Sequence, residues 1–479
     1  MKVRWQFTVY TSVILLILFT LFGFPASKET VVNAQQQSIE IPPAGGGPFR
    51  SEVADLITDE QHRKIQAQLT ASIGKLTREG RMAPARPEVV LLSWPLQKAA
   101  GQPDFNIDST ANYVDQNMAF PNQLLDWNCG ARTYDQANGY NHSGTDIATW
   151  PFTWKKVDDN AVEIIAAAPG TIIQKDDGNF DRNCSFNTLT PNAVYVRHSD
   201  GSVAWYLHMK SGSLTTKQVG DTVVTGEKLG VVGSSGSSTA PHLHFELYNA
   251  ANQLQDPYQG ACNTLNSFTY WSAQETYRKS RINNLMTGSA PPVFPTSCPT
   301  TETTNEKTVF QPGETIYLSI FFRDQQDQQT AQYSLLRPDG SLYQAWSQTL
   351  AGGPYDQVYY YYTWNLPSGA NGLWKFRTVY NSTTYDRSFT VGPAIPFATV
   401  SGKVLKADNT ALKSAAVSLI NSQGTVRTAL TNSFGLFTFD QVATGQTYTI
   451  TVSSKRFRYA AQSTQVLNNL VTANFVGQE

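Results

Sequence analysis

The segment Gly230-Val-Val-Gly-Ser-Ser-Gly-Ser-Ser-Thr-Ala-Pro-His-Leu-His-Phe-Glu246 joins a short apolar run, a Gly/Ser-rich turn and an alternating His-x-His run. Short Val, Ile and aromatic runs that are punctuated by turn residues predict β-strands. Along a strand, successive side chains point to opposite faces, so His242 and His244 should share one face while Leu243 faces the other. The segment therefore predicts a β-domain that presents two imidazoles side by side.

Two further histidine segments strengthen this pattern. They are Asn141-His142-Ser-Gly-Thr-Asp146 and Trp205-Tyr206-Leu207-His208, and the glycine in the first lets the backbone turn tightly. Imidazole and carboxylate are the ligand types of a hydrolytic zinc centre, which keeps one position open for water. A lone His-x-His is weak evidence, but the three segments together predict a Zn²⁺ site. The other two histidines, His62 and His198, lie in polar surroundings and show no comparable pattern.

Residues 89–248 resemble the lysostaphin-like (LytM-type) zinc metalloendopeptidases, which cut peptide cross-bridges in bacterial peptidoglycan. The most specific stretches are Asn141-His-Ser-Gly-Thr-Asp-Ile-Ala148, Ala167-Ala-Pro-Gly-Thr-Ile172 and Gly230–Glu246. The resemblance implies a mainly β fold, an antiparallel sheet domain (duplicated hybrid motif) with a groove. It also implies that His142, Asp146 and His244 hold the metal, and that His208 and His242 line the site as catalytic residues.

The chemistry of peptide hydrolysis asks for the same roles. A tetrahedral oxyanion needs a nearby hydrogen-bond donor, for which His208 is the candidate, and water needs a base, for which His242 is the candidate. The two could exchange roles, because sequence fixes neither distance nor tautomer. Glu246 shares the strand face of His244, so it either orients a ligand, packs at the edge of the core or is exposed to solvent.

Two insertions depart from the family pattern. Residues 149–164 carry Trp150, Phe152 and Trp154, and residues 179–191 carry Cys184. We expect both to form loops near the groove wall that alter substrate choice and leave the zinc ligands intact.

Length and composition bound the rest. A chain of 479 residues predicts several domains, and 41% hydrophobic against 15% charged residues favours folded, sheet-rich ones. A formal charge of −1 gives no electrostatic reason to expect a nucleic-acid partner.

The N-terminus predicts export. Lys2 and Arg4 precede an apolar stretch at about 7–24, and cleavage is expected after Ala34, giving a signal peptide of residues 1–34. An uncleaved anchor is the alternative, and only then would the protein meet a membrane. In an oxidising compartment the four cysteines predict disulfides. Of three possible pairings we expect Cys129 with Cys184 and Cys262 with Cys298, because each closes a loop within or at the edge of one predicted domain.

Pro/Gly-rich breaks and changes of sequence pattern divide the chain after the signal peptide into four regions. Residues 35–85 hold a linker and an apolar stripe at helical spacing, which predicts either a helix packed on the next domain or a pro-segment that covers the active site. Residues 86–290 form the zinc domain, closed by a short helix around Ala273–Met286. Residues 300–394 predict a β-sandwich, whose tyrosines 359–362 are either a sugar-stacking face or two faces of one strand. Residues 397–479 resemble the carboxypeptidase regulatory-like sandwich.

The leading hypothesis is a secreted, monomeric zinc metalloendopeptidase that hydrolyses peptide bonds in peptidoglycan. Two alternatives stay open. One is a catalytically silent relative that binds cell wall or activates an amidase, and the other is a zinc endopeptidase that acts on glycine-rich proteins.

Overall fold

The computed structural model describes residues 39–49, 53–369, 371–392, 397–421, 423–444, 446–466 and 471–478. The predicted signal peptide and its apolar stretch lie outside these residues. Among the helices that are described, none is long and apolar enough to cross a membrane. The described chain is mainly β with antiparallel sheets and few helices, as the sequence predicted.

A helix precedes the sheets that carry the histidines. Strands β1 (Ile39–Glu40) and β2 (Gly45–Pro48) lead to helix α1 (Asp59–Arg78). The side chain of Thr58 accepts a hydrogen bond from the backbone of Gln61, and the Gln61 side chain accepts one from the backbone of Thr58, which forms a capping box. The buried face of α1 packs against the following sheet, so the predicted packing on the next domain is confirmed.

The histidine segments lie in two antiparallel sheets and their connections. The elements are β3 (Leu96–Lys98), β4 (Asp108–Asn112), β5 (Thr145–Thr149), α2 (Thr153–Asp158), β6 (Val162–Ile165), β7 (Gly170–Asp176), β8 (Ala193–Arg197), β9 (Val203–Leu207), β10 (Thr222–Val223), β11 (Lys228–Val231), β12 (His242–Tyr248) and β13 (Leu254–Gln255). The large sheet has the order β10-β7-β8-β9-β12-β5-β4, with β13 beside β12, and the small sheet has the order β11-β6-β3.

Alternation along β12 divides the large sheet into two faces. Leu243, Phe245 and Leu247 enter the main core of this region. His244 and Glu246 point to the opposite face, where α1 also packs. One face of the sheet therefore packs on the main core, and the other carries the polar groups and packs against α1.

The next region is a two-sheet sandwich. Its strands are β14 (Arg281–Gly288), β15 (Val309–Phe310), β16 (Thr315–Gln325), β17 (Gln329–Leu336), β18 (Leu342–Leu350), β19 (Tyr355–Asn365), β20 (Gly372–Tyr380) and β21 (Thr383–Val391). One sheet has the order β1-β18-β17-β20-β21-β15 and the other β14-β16-β19-β2. The N-terminal strands β1 and β2 thus join the sandwich that follows the histidine sheets in sequence.

The helix predicted around Ala273–Met286 is wrong. Residues 281–288 form strand β14, which pairs with β16. Ile282 and Leu285 both enter the sandwich core from this strand, which has a bulge between Ile282 and Asn284. Tertiary pairing overrode the local pattern.

The tyrosine run occupies two faces of β19. Tyr362 is buried in the sandwich core, and Tyr360 packs against the same core. Tyr359 contacts Phe294 and Phe321 on the other face. The interpretation as two faces of one strand is confirmed, and these three rings are taken up by packing.

The last region is a second sandwich. It contains β22 (Phe397–Leu405), β23 (Ala416–Ile420), β24 (Val426–Leu430), β25 (Leu436–Ala443), β26 (Gln446–Ser453), β27 (Gln462–Val466), β28 (Val471–Thr472) and β29 (Phe475–Val476). Strands β25, β22, β28 and β29 form one sheet and β24-β23-β26-β27 the other, around a core that includes Val400, Val417 and Phe439.

The expected cysteine pairing is wrong. The bonds are Cys129–Cys262 and Cys184–Cys298, separated by 133 and 114 residues. Proximity in sequence failed as a guide because the sheets bring distant segments together. The backbone of Cys262 donates to the carbonyl of Trp127, for example, beside Cys129.

Candidate metal centre

Strands β5, β9 and β12 bring the five predicted site residues together. Because β12 pairs with β5 in antiparallel register, His244 lies directly opposite Asp146. β9 flanks β12 on its other side, and His208 follows the end of β9, where its ring lies 4.6 Å from that of His242. His142 lies just before β5. All five side chains are buried.

Position 144 needs a glycine because the backbone there passes close to the His244 ring, and not because of an unusual turn. Its φ lies outside the left-handed range, but an added Cβ would lie 2.5 Å from the His244 ring. The chain before β5 can therefore pass close enough for His142 and Asp146 to meet His244.

Three candidate donor atoms lie close to one another. His142 Nε2 lies 3.2 Å from Asp146 Oδ1, Asp146 Oδ1 lies 2.9 Å from His244 Nδ1, and the two ring nitrogens are 3.3 Å apart. Donors bound to one tetrahedral zinc at about 2.0–2.1 Å are roughly 3.3 Å apart. Two imidazoles and one carboxylate at this spacing suit zinc.

The rings of both candidate ligands are oriented by their second nitrogens. His142 Nδ1 donates to the carbonyl of Tyr113 at 2.7 Å, and His244 Nε2 donates to Glu246 Oε1 at 2.8 Å. Each hydrogen bond leaves the other nitrogen free to coordinate a metal. Glu246 thus orients the ring of a candidate ligand, which is one of its sequence interpretations.

His208 and His242 are oriented in the same manner. Their Nδ1 atoms donate to the carbonyls of Ser235 and Ala240, each at 2.7 Å. The Nε2 atom of His242 has no hydrogen-bond partner and lies 3.4 Å from Asp146 Oδ1. A buried ring nitrogen that faces the donors without a partner is available for proton transfer.

Burial and neighbouring groups shift the pKa values of His242 and Glu246 in the centre. Burial lowers the pKa of His242 to about 4, which leaves the ring neutral near pH 7. Burial alone would raise the pKa of Glu246, but His62 and the hydrogen bond from His244 hold it well below its usual range. The ligand-orienting carboxylate is therefore ionised.

A second aspartate, which the sequence did not predict, lies within the centre. Asp55 Oδ2 is 2.5 Å from His244 Nδ1 and 3.1 Å from His208 Nε2. Asp55 Oδ1 accepts hydrogen bonds from the hydroxyls of Tyr134, at 2.6 Å, and Tyr140, at 2.7 Å. Two overlapping donor groups result, Asp55/His142/Asp146/His244 and Asp55/His208/His242/His244.

His62 also reaches the centre, contrary to the sequence interpretation. It lies on α1, and its Nε2 atom is 2.9 Å from Glu246 Oε1. Its ring stacks on Trp205 at 5.7 Å between centroids. No local signal marks Asp55 or His62, because only the tertiary path of residues 53–62 brings them to β12.

The two insertions differ in their surroundings. Residues 149–164 include β6 and α2 as well as a loop, and Trp150 and Phe152 pack against Met286 and Phe321 of the sandwich. The expectation of a loop is wrong for α2 and β6, whereas Thr153 and Trp154 line a cavity with Thr239 and Ala240 directly before His242, so a position at the groove wall stays a prediction.

Residues 179–191 do line the centre. Leu189 and Pro191 share a cavity of about 190 Å³ with Leu56, Ile57 and His208. This insertion is linked to the connection between β14 and β15 by the Cys184–Cys298 bond and by Arg182, which donates to the carbonyl of Pro299 at 2.7 Å.

Two family models match the chain. Residues 140–257, which contain the five predicted site residues, match peptidase family M23, and residues 399–476 match the carboxypeptidase regulatory-like domain. The first match begins after Asp55 and His62.

Curated relatives resemble the same region. The peptidoglycan DD-endopeptidase ShyC of Vibrio cholerae is 28% identical over 145 residues, which is 29% of this chain and 30% of the relative. The glycyl-glycine endopeptidase ALE-1 of Staphylococcus capitis is 28% identical over 123 residues, 25% of this chain and 29% of the relative. The DD-carboxypeptidase/endopeptidase Mpg of Neisseria meningitidis is 46% identical over 55 residues, 12% of each chain. The matches thus span under a third of each relative.

Proposed function

We propose that the protein is a zinc metalloendopeptidase that hydrolyses peptide bonds in bacterial peptidoglycan, because residues 140–257 match peptidase family M23. The observation that carries this proposal is the convergence of His142 Nε2, Asp146 Oδ1 and His244 Nδ1 within 3.3 Å of one another. The names of two of the curated relatives describe enzymes that act on peptidoglycan and on glycyl-glycine bonds. This favours a cell-wall peptide as the substrate.

His142, Asp146 and His244 would hold the metal. Bound zinc supplies Lewis acidity, which lowers the pKa of water and polarises a peptide carbonyl. Tyr113 and Glu246 keep the two rings turned so that the coordinating nitrogens face inward. Loss of either orienting hydrogen bond would lower the affinity for the metal without removing a ligand.

His208 and His242 have distinct surroundings, which favour distinct roles. His208 Nδ1 donates to the carbonyl of Ser235 and Nε2 faces an acceptor, Asp55 Oδ2, so the doubly protonated ring would be placed to donate from Nε2 to the oxyanion of the tetrahedral intermediate. His242 is neutral and its Nε2 atom is free, so it is placed to take a proton from water and return it to the leaving amine.

The same proposal includes export. Two disulfides suit an oxidising, extracytoplasmic compartment, where peptidoglycan is found. We propose that the signal peptide of residues 1–34 directs the chain there and that the protein acts as a monomer.

The test uses the chain after Ala34, loaded with zinc and quantified for bound metal. Purified peptidoglycans with different bridges and a glycine-rich protein are incubated separately, and the released fragments are identified by mass spectrometry. The wild type is assayed, with His244→Ala as the inactive control. New peptide termini in the peptidoglycan are expected. Fragments from the glycine-rich protein alone would replace the substrate, and zinc-loaded proteins that cut neither substrate would overturn the proposal.

A further inference from the structure

We infer that a cavity beside the metal centre is a substrate subsite that takes a side chain with a free ammonium group. The inference rests on the proposed function, because it names a part of the peptide that the metal centre would cleave. The cavity, here called the insertion pocket, has a volume of about 320 Å³. Its walls include Thr153 and Trp154 from one insertion, Cys184 from the other, Ala240 before β12, and Glu302 from the connection between β14 and β15.

The insertion pocket lies next to the proposed base. Ala240 lines the pocket, and its carbonyl accepts the hydrogen bond from His242 Nδ1 at 2.7 Å. Thr153 also lines the pocket, and its hydroxyl donates to the carbonyl of Pro241 at 3.4 Å. Two residues of extended chain span at most about 7 Å. A peptide that is cleaved beside His242 therefore has a side chain within reach of the pocket one or two residues from the scissile bond.

Part of the pocket lies outside the peptidase domain. Residues 140–257 match the peptidase family, whereas Phe294 and Glu302 follow that range. The Cys184–Cys298 bond fixes their connection to the second insertion. The subsite is therefore built by features that this chain adds to the metal-binding sheet.

Glu302 supplies the charge of the insertion pocket. Its side-chain oxygens accept hydrogen bonds from the backbones of Trp154, at 3.2 Å, and Lys155, at 2.9 Å. The residue is only 7% exposed, and it forms no ion pair with a basic side chain of the described residues. Buried carboxylates are usually paired with a cation. A carboxylate that lines a cavity without such a partner favours a cationic ligand.

Nearby cations outside the pocket have their own partners. Arg182 Nη1 lies 2.5 Å from Asp158 Oδ1, and Lys155 Nζ lies 2.8 Å from Asp159 Oδ2. Among the described residues that line the pocket, Glu302 is the only charged one. An ammonium group in the pocket would therefore meet an opposite charge, whereas a carboxylate would be repelled.

The aromatic walls suit the rest of a long amine-bearing side chain. Phe49, Trp154 and Phe294 line the pocket, and apolar rings can cover methylene groups. The Trp154 ring already attracts one cation, since the guanidinium carbon of Arg182 lies 4.8 Å from its centroid. The volume is at the lower end of the range for ligand sites, which suits one side chain.

The substrate class that follows is a peptide with a diamino acid one or two residues from the scissile bond. Its second amine must be free, because an acylated amine carries no charge. The insertion pocket thus distinguishes a free diamino acid side chain from one that is joined in a cross-link.

The first test measures binding and does not depend on turnover. The zinc-loaded chain after Ala34 is titrated with the amide of Nα-acetyl-lysine, and binding is followed by saturation-transfer NMR. The amides of Nα-acetyl-norleucine and of Nα,Nε-diacetyl-lysine are the uncharged comparisons. Wild type should bind the lysine probe about tenfold tighter or more than either of them, as expected for a hydrogen bond between charged groups.

Variants assign that preference to the pocket. Glu302→Gln keeps the size of the side chain but removes its charge, so the preference for the lysine probe should disappear. Glu306→Gln, at an exposed position of the same connection, should keep it. His244→Ala, which removes a proposed zinc ligand, should also keep it. If Glu302→Gln fails to fold by circular dichroism, Thr300→Lys decides the question, because it places a competing ammonium at an exposed position of the pocket wall.

Two results would overturn the inference. One is equal affinity of the wild type for the lysine and norleucine probes. The other is loss of the preference in His244→Ala, which would assign the probe to the metal centre.

A cleavage assay then tests the subsite in catalysis. Peptides from peptidoglycan are compared with the same peptides after acetylation of the free amine of the diamino acid. Glu302→Gln should lower the ratio of kcat/KM for the free peptide to that for the acetylated peptide by about tenfold. An unchanged ratio would overturn the subsite, whereas absence of any cleavage by a wild type that still prefers the lysine probe would count against the proposed function alone.

Discussion

His244 Nε2 lies 2.8 Å from Glu246 Oε1, and this hydrogen bond turns the opposite nitrogen of the ring toward His142 and Asp146. The same Glu246 oxygen is 2.9 Å from His62 Nε2. One carboxylate therefore orients a proposed ligand and also holds helix α1 over the centre.

The first prediction concerns this carboxylate. Glu246→Gln keeps the size of the side chain but removes its charge, so the His244 ring is held less firmly. Zinc affinity, measured by chelator competition, should fall by about 10- to 100-fold. Glu88→Gln, at an exposed position, is the matched control and should not change it. Equal zinc affinity in Glu246→Gln and wild type would show that Glu246 serves packing alone.

The second prediction separates the two overlapping donor groups. If His142, Asp146 and His244 hold zinc, His208→Ala should retain the metal. The kcat of His208→Ala should be about 10²- to 10³-fold lower than that of the wild type, as expected for loss of an oxyanion donor. His244→Ala should lose both zinc and activity. Zinc that is lost in His208→Ala but kept in His142→Ala would assign the metal to the group of Asp55, His208, His242 and His244 instead.

The strand periodicity of the sequence predicted the part of the centre that depends on local geometry. His242, Leu243 and His244 alternate on β12 as expected, and Glu246 falls on the face of His244. Local rules suffice here because the face of a strand residue follows from its position. The convergence of His142 and His208 followed from the family resemblance, since spacing alone does not fix strand order.

Contacts that depend on tertiary path were not predictable. Asp55 and His62 reach β12 only because α1 packs on the sheet, and no residue pattern near them records this. The disulfide pairing failed for the same reason. Strand β14 was mistaken for a helix because its apolar spacing allows either structure until β16 pairs with it.

The third prediction concerns strand β2, which pairs with β19 of the sandwich. Gly46 has a φ of +107°, and an added Cβ would lie 2.3 Å from the carbonyl oxygen of Tyr359. Gly46→Ala should therefore detach β2 from β19, lower the free energy of unfolding by about 1–3 kcal/mol and accelerate hydrogen exchange across residues 45–57. Gly369→Ala, where an added Cβ meets open space, should change neither quantity. Unaltered exchange in Gly46→Ala would mean that the strand is not anchored by close approach.

The fourth prediction concerns Asp256, a carboxylate that is separate from the donor groups. It is fully buried, and its oxygens accept hydrogen bonds from the Gln116 side chain at 2.8 Å and the Tyr258 backbone at 3.0 Å. Burial raises its pKa to about 7 from an ordinary value of 3.8. Between these values the folded chain binds a proton that the unfolded chain has lost, so this residue makes the protein less stable as pH rises, and the penalty is complete above about pH 7.

Asp256→Asn removes that titration. The difference in the free energy of unfolding between variant and wild type, measured by urea denaturation, should shift in favour of the variant as pH rises from 5 to 8. Any hydrogen bond that the amide cannot replace contributes equally at both pH values, so the shift isolates the proton. The slope should approach 1.4 kcal/mol per pH unit at most, which is about the value for one proton. Glu88→Gln should show no such trend, and a constant difference for Asp256→Asn would mean that the folded carboxyl titrates near its ordinary pKa.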